Sequence, residues 1–373
     1  MEKKKNKTGK RILIGIGVFL LFLLTVVVVF LFTALQTFKI ICKDPGYTRS
    51  TFVSTVLETG QMKFLAKLAL SDEEILEVVN GNKMEKMEDA VVDEGLIKIA
   101  TAQGSQGEST SLDPLYNREI TQQDIEVIEI PGLTYKATLM IVKDPSRVSL
   151  ATIQKADGSW PEKGITLSEI ANRFGALAAI NGGIYCSTNN TGGYPYGVVV
   201  SNGKIVRNKP KEWKGLVLIG LTDKNILQII DISDMKPSDV EKMVEEQGIR
   251  DAVSFQEEND SSDNNHFVQL VINGVPRDFS GSGSGLNPRT AIGQRADGSL
   301  LLLVTDGRGS NGHAGASAAD LIEIMTTYGA VNAANLDGGS STCMYYDGKY
   351  LQNSVTFYYQ QSSWRLPFAF IVK

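Results

Sequence analysis

Residues 300–339 read LLLLVTDGRGSNGHAGASAADLIEIMTTYGAVNAANLDGG, and this stretch decides the fold that we predict. It begins with an apolar run of strand length that ends at Asp306, and it finishes with a second apolar run that ends at Asp337. Between them lies a helix that opens with a capping box, Ser317 and Asp320, and closes at a glycine. The order strand, helix, strand predicts a right-handed crossover that joins two parallel strands.

The two aspartates that follow these strands are the first candidate catalytic residues. Parallel strands place their carboxyl ends at one edge of a sheet, where open α/β sheets bind ligands. If the strands are neighbours, ~4.8 Å apart, the carboxyl groups of Asp306 and Asp337 lie roughly 5–9 Å apart, as in paired glycosidase carboxylates. A strand between them would push the separation to about 10 Å. The alternative is that each Asp-Gly pair only forms a turn, as those at Asp157, Asp297 and Asp347 are expected to do.

Antiparallel strands are predicted around this unit. Alternating apolar residues over 135–141 indicate a half-buried strand. The pairs Asn202-Gly203 and Asn273-Gly274 indicate tight hairpins, because both central positions of such turns favour positive φ. Further capped helices are predicted over 166–175 and 238–248. We therefore expect an α+β fold, a mixed sheet with β-hairpins and a βαβ unit.

Composition limits the class of protein. The chain has 373 residues, 42 % of them hydrophobic and 21 % charged, which suits one large or two modest globular domains. Residues 1–11 hold six basic residues and one acidic residue, so the rest carries 31 basic and 41 acidic residues. A nucleic-acid-binding protein needs a basic surface, and the only basic cluster here is this short tail. We therefore expect no nucleic-acid partner.

An uncharged stretch of 27 residues, 12–38, follows the basic tail. About 20 apolar residues span a bilayer, so we predict a single-pass transmembrane anchor over 12–38. A cleaved signal peptide is the alternative, but the apolar region is long for one and no small-residue cleavage site follows it. Because basic residues beside a first span stay in the cytoplasm, residues 1–11 are expected inside and the main domain outside.

The remaining chain is predicted to divide into a helical stalk with a linker, residues 39–118, and a main domain, residues 119–373. Ser71 and Glu74 form a capping box ahead of apolar residues at helical spacing. Residues 101–117 have a linker composition of Gln, Gly, Ser, Thr and Pro. A simple spacer is the interpretation that we favour for the stalk.

Cysteine and histidine usage excludes several kinds of site. Three cysteines are too few for a disulfide framework, and no C-x-x-C pair or His-rich cluster has zinc spacing. A bridge between Cys186 and Cys343 and two unpaired, buried thiols both stay open. His266 and His313 are the only histidines, and no Gly-x-Ser-x-Gly elbow supplies the serine of a Ser-His-Asp hydrolase.

Two further features point to a ligand site. Residues 174–183 and 328–339 both read as a helix end, a glycine, a short strand, a polar residue and Gly-Gly. This similarity is either a coincidence of turn chemistry or two αβ units that present Asn181 and Asp337 from equivalent places. Arg289 follows a Gly-Ser-rich loop that matches neither a P-loop nor a dinucleotide-binding pattern. Its position between a proline and an apolar strand favours a bidentate grip on phosphate.

Four ordered strings resemble the motifs of the phosphodiester glycosidase family. They are AINGGIY at 179–185, PRTAIG at 288–293, DGR at 306–308 followed by GAS at 315–317, and NLDGGSS at 335–341. The resemblance covers roughly 125–373 and implies hydrolysis of a glycosyl-1-phosphodiester, in bacteria usually in an envelope polysaccharide. Departures from the family pattern are Cys186 and Cys343 near the expected cleft, and Ser340 where glycine is common. These departures bear on which substrate is chosen more than on the class of reaction.

Positions in these motifs imply the site residues. Asp337 and Asp306 are expected to be the catalytic carboxylates, one protonating the departing oxygen and the other attacking or activating water, with the two roles unassigned. The substrate and its phosphate are expected to be held by Arg289, Arg308, Asn181, Gly182, Gly183, Thr290, Gly338, Gly339, Ser340 and Ser341.

The main hypothesis is therefore a membrane-anchored extracytoplasmic hydrolase of a teichoic-acid-like or exopolysaccharide phosphodiester. The alternatives are a non-catalytic polysaccharide-binding module and a metal-dependent phosphodiesterase that cuts the P–O bond. No cofactor is required by this reading, although calcium held by Asp side chains and loop carbonyls stays a candidate. The oligomeric state stays open.

Overall fold

The structure is a computed structural model that describes residues 2–43, 47–59, 63–68, 70–87, 90–99, 125–257, 266–355 and 362–373. Its helices are α1 (Glu2–Lys43), α2 (Tyr47–Glu58), α3 (Phe64–Lys67), α4 (Asp72–Asn80), α5 (Leu167–Phe174), α6 (Pro237–Glu246) and α7 (Ala318–Thr327). Its strands are β1 (Ile125–Pro131), β2 (Lys136–Val142), β3 (Val148–Thr152), β4 (Ala178–Asn181), β5 (Val198–Ser201), β6 (Lys204–Asn208), β7 (Leu216–Thr222), β8 (Leu227–Asp231), β9 (Ile249–Gln256), β10 (Gln269–Ile272), β11 (Val275–Pro276), β12 (Thr290–Arg295), β13 (Leu300–Thr305), β14 (Ala330–Asn335), β15 (Met344–Tyr346), β16 (Lys349–Gln352) and β17 (Phe368–Val372). The predicted α+β class is confirmed, and the predicted linker over 101–117 lies outside the described residues.

The largest sheet has the strand order β1-β2-β13-β12-β14-β10-β11. β12 is antiparallel to both β13 and β14, so these two strands run parallel to each other and α7 connects them, as predicted. The expectation that β13 and β14 are neighbours is wrong, because β12 lies between them. Two strand spacings separate the strand ends by about 10 Å, beyond the separation expected of a carboxylate pair.

The central strands of this sheet are buried on both faces. Leu300 and Leu302 belong to one apolar core, and Leu301 and Leu303 belong to another on the opposite face. Strands covered on both faces read as continuous apolar runs, which explains the leucine run of β13. The strand predicted over 135–141 is observed as β2, but it is buried on both faces instead of half-buried. α7 covers one face of the sheet, and the core on the other face includes residues of the two smaller sheets.

Those smaller sheets have the orders β16-β15-β4-β17-β3 and β6-β5-β9-β7-β8. α5 packs against the first sheet and α6 against the second. Both predicted hairpin turns are confirmed. Asn202 and Gly203 connect β5 to β6 with φ of 51° and 71°, and Asn273 and Gly274 connect β10 to β11 with φ of 55° and 78°.

Helix capping was predicted well with one exception. Complete capping boxes open α4 at Ser71, α5 at Thr166 and α7 at Ser317. The predicted start of α6 at Ser238 is wrong, because the N-cap is Lys236 and Pro237 is the first helical residue. Proline suits that first position, since its φ is already helical and it has no N–H that needs a partner.

The N-terminal helix is long and apolar. Residues Gly9–Lys43 have a mean hydropathy of 3.2 over the most apolar window, none of which is buried. This length and composition are those of a membrane span or a signal sequence. Beyond it, α2, α3 and α4 share a small apolar core of their own.

The segment predicted to be a stalk packs directly against the sheets. The backbone N–H of Lys98 donates to the carbonyl of Ala296 at 2.7 Å, and the amide of Asn82 donates to the carbonyl of Ser284 at 3.0 Å. Val92 belongs to the main apolar core. A simple spacer would not need these contacts. The boundaries 39–118 and 119–373 stay a prediction.

Candidate active site

The two similar helix–strand units meet at one place. β4 ends at Asn181 and β14 ends just before Asp337, and the Asn181 amide donates to the backbone carbonyl of Asp337 at 2.6 Å. The backbone N–H of Asp337 in turn donates to the carbonyl of Gly182 at 3.1 Å. The side-chain oxygen of Asn181 accepts from the hydroxyl of Thr290 at 2.8 Å and from the N–H of Cys343 at 3.2 Å. Asn181 therefore ties together strands from two sheets at the candidate site.

The glycines after β4 allow close packing beneath the site. A Cβ at Gly183 would lie 2.1 Å from the carbonyl oxygen of Ser254, and a Cβ at Gly182 would lie 2.8 Å from the ring of Phe368. Real side chains do not approach that closely, so only glycine fits the present backbone path. This close approach brings Ser254 of β9, in the second five-stranded sheet, against the end of β4.

The carboxyl group of Asp337 is a weaker acid than an ordinary aspartic acid. Burial by the surrounding protein raises the pKa of its carboxyl to about 7, although a hydrogen bond with Ser341, the positive charge of Arg308 and the N–H of Gly338 oppose the shift. Part of the residue still reaches solvent. A carboxylic acid with a pKa near neutrality is suited to donate a proton at neutral pH.

Arg308 supplies a cation beside this acid. Its Nε donates to the side-chain oxygen of Asn287 at 3.1 Å and its Nη1 to the hydroxyl of Ser340 at 3.1 Å. Among the described residues it forms no ion pair with a carboxylate. Burial lowers the pKa of Arg308, as does the charge of Arg289, while Asp337 and Glu58 oppose the shift. A half-buried guanidinium without a carboxylate partner among the described residues is suited to bind an anion.

Gly339 lets the chain pass under this guanidinium. Its φ is 61°, and a Cβ at this position would lie 2.6 Å from Nη2 of Arg308. Arg308 itself has a φ of 54°, in the left-handed region. Both residues thus have a backbone conformation that residues other than glycine rarely adopt. The Gly-Gly-Ser string after Asp337 therefore packs directly against Arg308.

Arg289, the other predicted phosphate ligand, is already neutralised within the protein. It is 5 % exposed, and its guanidinium pairs with the carboxylate of Glu58 and donates to the hydroxyl of Ser284 at 3.0 Å. Glu58 is the last residue of α2 and also accepts from the amide of Asn287 at 2.8 Å. Sequence analysis missed Glu58, because it lies in the predicted stalk and outside every recognisable motif.

Asp306 makes a different set of contacts from the one predicted. It is 1 % exposed, and Oδ1 accepts from the backbone N–H of Lys136 at 2.7 Å. Oδ2 lies 2.7 Å from Nδ1 of His313 and accepts from the amide of Asn311 at 3.1 Å. Lys136 belongs to β2, on the side of β13 away from β12 and β14. These contacts hold the Asp306 carboxylate against His313 and the first residue of β2, and no hydrogen bond joins it to Asp337 among the described residues. The catalytic role of Asp306 stays a prediction.

Solvent access divides the twelve predicted site residues into two groups. Seven are buried and lie beneath the surface of the site: Asp306, Arg289, Asn181, Gly182, Gly183, Thr290 and Ser341. Five keep part of their surface open to solvent: Asp337, Arg308, Gly338, Gly339 and Ser340. A substrate can reach only the second group without rearrangement of the protein.

Other features of the described chain lie outside this cluster. All three cysteines are unpaired, so the Cys186–Cys343 bridge is not formed. Within the described ranges no group of three or more His, Cys, Asp and Glu side chains is arranged to hold a metal ion. A cavity of about 700 Å³ opens among residues that include Lys86, Lys214 and Asp231, and none of its lining residues is a predicted site residue.

Comparisons with known proteins confirm the predicted family. The family model described as phosphodiester glycosidase matches residues 174–373. The catalytic domain of zebrafish N-acetylglucosamine-1-phosphodiester alpha-N-acetylglucosaminidase, described as auto-inhibited by its pro-peptide, is similar in fold at 18 % identity with a TM-score of 0.50. That match covers 70 % of this chain and 86 % of the zebrafish chain. A hypothetical protein from Synechocystis matches at 18 % identity with a TM-score of 0.43, over 66 % of this chain and 61 % of its own.

One curated relative is similar over a short region. The SPbeta prophage-derived uncharacterized protein YomE of Bacillus subtilis (strain 168) is 43 % identical over 67 residues. These residues are 18 % of this chain and 10 % of that protein, so the match spans only a tenth of the relative's length.

Proposed function

The chain belongs to the phosphodiester glycosidase family, and from this membership we propose that it hydrolyses the bond between the anomeric carbon of a sugar and a phosphodiester oxygen. The observation that carries the proposal is that Asp337, whose pKa is about 7, lies within the electrostatic influence of Arg308, a half-buried cation that forms no ion pair among the described residues. A proton donor and an anion-binding cation, side by side, suit the cleavage of a sugar from a phosphate.

Asp337 and Arg308 have different roles in this mechanism: Arg308 binds the phosphate and Asp337 supplies a proton. Arg308, with the hydroxyl of Ser340, holds the phosphoryl oxygens and offsets the negative charge that develops as the C–O bond breaks. Asp337 in its protonated form donates to the departing oxygen. A phosphomonoester has a second pKa of about 6, so it leaves more easily than an alcohol.

Water then attacks the anomeric carbon to release the sugar. We assign Asp306 the role of positioning His313, which it holds through Nδ1 at 2.7 Å. With the proton on Nδ1, Nε2 of His313 is the basic nitrogen and accepts the proton of the attacking water. Asp306 does not touch the substrate in this scheme.

Glu58 is proposed to restrain the site. Its carboxylate is an anion that binds Arg289 and the Asn287 amide, and Asn287 also accepts from Arg308. The Glu58 carboxylate thus lies where the phosphate of the substrate is expected to bind. The zebrafish relative is described as auto-inhibited by its pro-peptide, and we propose that Glu58 of α2 restrains this chain in a similar sense. The phosphodiester would displace Glu58 from Arg289 on binding.

The substrate is proposed to be an envelope glycan outside the cell membrane, such as a teichoic-acid-like or exopolysaccharide phosphodiester. A basic tail followed by an apolar helix supports a single-pass anchor with its N-terminus in the cytoplasm. An enzyme held at the membrane surface would meet polymers that are attached there.

The decisive experiment uses the full chain in detergent with a sugar-1-phospho-nitrophenyl diester in ¹⁸O-labelled water. Label in the sugar supports C–O cleavage. Label in the phosphate overturns the proposal in favour of a phosphodiesterase, and binding without turnover overturns it in favour of a binding module. Asp337→Asn should abolish hydrolysis and keep the fold. Asp347→Asn is the matched control, because Asp347 also precedes a glycine but lies in an exposed turn with a φ of 45°.

A further inference from the structure

Three aromatic side chains form a row beside the candidate active site. The rings of Tyr194 and Tyr196 lie 5.6 Å apart between centroids in an edge-to-face arrangement, and the rings of Tyr196 and Trp213 lie 5.3 Å apart. Tyr194 is 38 % exposed and Trp213 is 40 % exposed. This group, the aromatic row, leaves ring surface open to solvent at both of its ends.

Charged groups border the aromatic row. The guanidinium carbon of Arg207 lies 5.7 Å from the centroid of the Tyr194 ring. The same guanidinium pairs with Glu212 at 2.6 Å, so this pair offers both donors and an acceptor at the border of the row. The exposed Lys209 and Lys211 lie in the same stretch of chain. Apolar ring faces with polar groups at their edges match a sugar ring, which has C–H faces and hydroxyl edges.

The aromatic row is preformed. The carboxylate of Glu212 accepts from the backbone N–H of Gly197 at 2.8 Å, and the N–H of Lys209 donates to the carbonyl of Gly197 at 3.0 Å. Because these contacts tie the segment of Tyr196 to the segment of Trp213 before a ligand arrives, little ordering entropy is lost on binding.

A two-stranded ribbon connects the aromatic row to the active site. The N–H of Cys186 donates to the carbonyl of Tyr194, and the N–H of Tyr196 donates to the carbonyl of Ile184, both at 3.0 Å. Tyr185, which lies between them and pairs with Pro195, has its hydroxyl 3.1 Å from the hydroxyl of Ser341.

Side chains alternate across such a ribbon, so the two sites lie on its opposite faces. Tyr185 lies on the face of Asp337, because Ser341 hydrogen-bonds to that carboxyl. Tyr194 and Tyr196 lie on the other face. A ligand that contacts both Asp337 and the aromatic row must therefore extend around the ribbon, as successive units of one glycan would.

We propose that the aromatic row is a subsite for a sugar ring of the glycan, at least one unit removed from the bond that is cleaved. The identity of the ligand rests on the proposed function, which makes the substrate a glycosyl phosphodiester. The subsite gives the enzyme a preference for a polymer over a short substrate, since only a longer glycan can pass the ribbon and stack on Trp213.

Calorimetric titration of the full chain in detergent tests the proposal. The chain carries Asp337→Asn to stop turnover, and the probes are cellotetraose and chitotetraose. Trp213→Ala should weaken binding by about tenfold, or about 1.4 kcal/mol, and Trp213→Phe should restore most of it. Phe64→Ala is the control, because Phe64 is an exposed aromatic residue on α3, 58 % exposed, and it should leave binding unchanged.

A second measurement separates this subsite from the catalytic centre. In a chain with Asp337 intact, Trp213→Ala should leave hydrolysis of a small sugar-1-phospho-nitrophenyl diester within about twofold of the parent. Equal loss on the small substrate would overturn the proposal, as would unchanged tetrasaccharide binding in Trp213→Ala or no binding by the parent chain. Tetrasaccharide binding that depends on Trp213, in a chain that hydrolyses no phosphodiester, would overturn the proposed function and leave the subsite standing.

Discussion

Glu58 and Arg289 form a buried ion pair across 231 positions of the chain. Their side chains are 2 % and 6 % exposed, and the contact joins α2, the helix that follows the apolar N-terminal helix, to the residue that precedes β12. Breaking such a pair by removing one partner leaves an unpaired buried charge. The same change frees the Arg289 guanidinium for an incoming anion.

Glu58→Gln should therefore change stability and phosphate binding in opposite directions. We expect the free energy of unfolding to fall by about 3 kcal/mol, since Arg289 loses its buried counter-charge. We also expect the KM for a sugar phosphodiester, and the inhibition constant of inorganic phosphate, to fall by about tenfold. Urea unfolding and steady-state kinetics measure the two effects. Glu77→Gln, at an exposed position of α4, should change neither. A higher KM together with a lower kcat would mean that Glu58 only holds the site together.

The acidity of Asp337 predicts the pH dependence of the reaction. If the protonated carboxyl is the active form, kcat/KM should decrease tenfold per pH unit above the pKa of about 7. Asp337→Asn should lower the rate strongly and remove that dependence from what activity remains. A profile that rises through pH 7 instead would assign Asp337 the role of base or nucleophile.

The same group predicts how stability changes with pH. Its pKa is about 7 in the folded protein against 3.8 for the ordinary carboxyl, so the folded state keeps the proton over this range while the unfolded state loses it. The free energy of unfolding should therefore fall as pH rises from about 4 to 7, on the order of 4 kcal/mol from this residue at 1.36 kcal/mol per pKa unit. Urea unfolding of the parent and Asp337→Asn at several pH values measures the difference, which should vanish below pH 4. A constant difference would contradict the raised pKa.

Local features of the fold could be predicted from consecutive residues. The capping box at Ser317 and the turn at Asn202-Gly203 involve groups a few residues apart, so their geometry follows from the identities of those residues. The internal similarity left open whether Asn181 and Asp337 occupy equivalent places, and the structure shows that a hydrogen bond joins the two residues.

Contacts between distant segments could not be predicted. β12 forms a hairpin with β13 but also pairs with β14, and only that second pairing separates the ends of the parallel strands. The direction of the Asp306 carboxylate depends on β2, 170 positions away, whose Lys136 N–H it accepts. No motif in the sequence marks Glu58, because its ion pair with Arg289 depends on the placement of α2 against a loop 231 residues later.

The contacts of Asp306 predict that it is less important than Asp337. Asp306→Asn keeps an oxygen that can accept from Lys136, but it no longer attracts the Nδ1 proton of His313 with a full charge. We expect kcat to fall by about 10–100-fold with KM little changed, against a loss of at least about 10³-fold in Asp337→Asn. His313→Gln should resemble Asp306→Asn, and the double variant should be no worse than either, because the two residues act as a unit. Equal losses at the two aspartates would restore the original idea of a carboxylate pair.

Arg308→Lys tests whether the guanidinium, and not merely a positive charge, binds the phosphate. Lysine keeps the positive charge. At a φ of 54° it is as restricted by its Cβ as arginine is, so the fold should be retained. It cannot hold the Asn287 oxygen and the Ser340 hydroxyl together and still present a planar edge to phosphate. We expect kcat/KM to fall by about 10²-fold and phosphate inhibition to weaken in parallel. The exposed Arg173→Lys serves as the control. Full activity in Arg308→Lys would show that a point charge suffices, and unchanged phosphate inhibition would place the anion elsewhere.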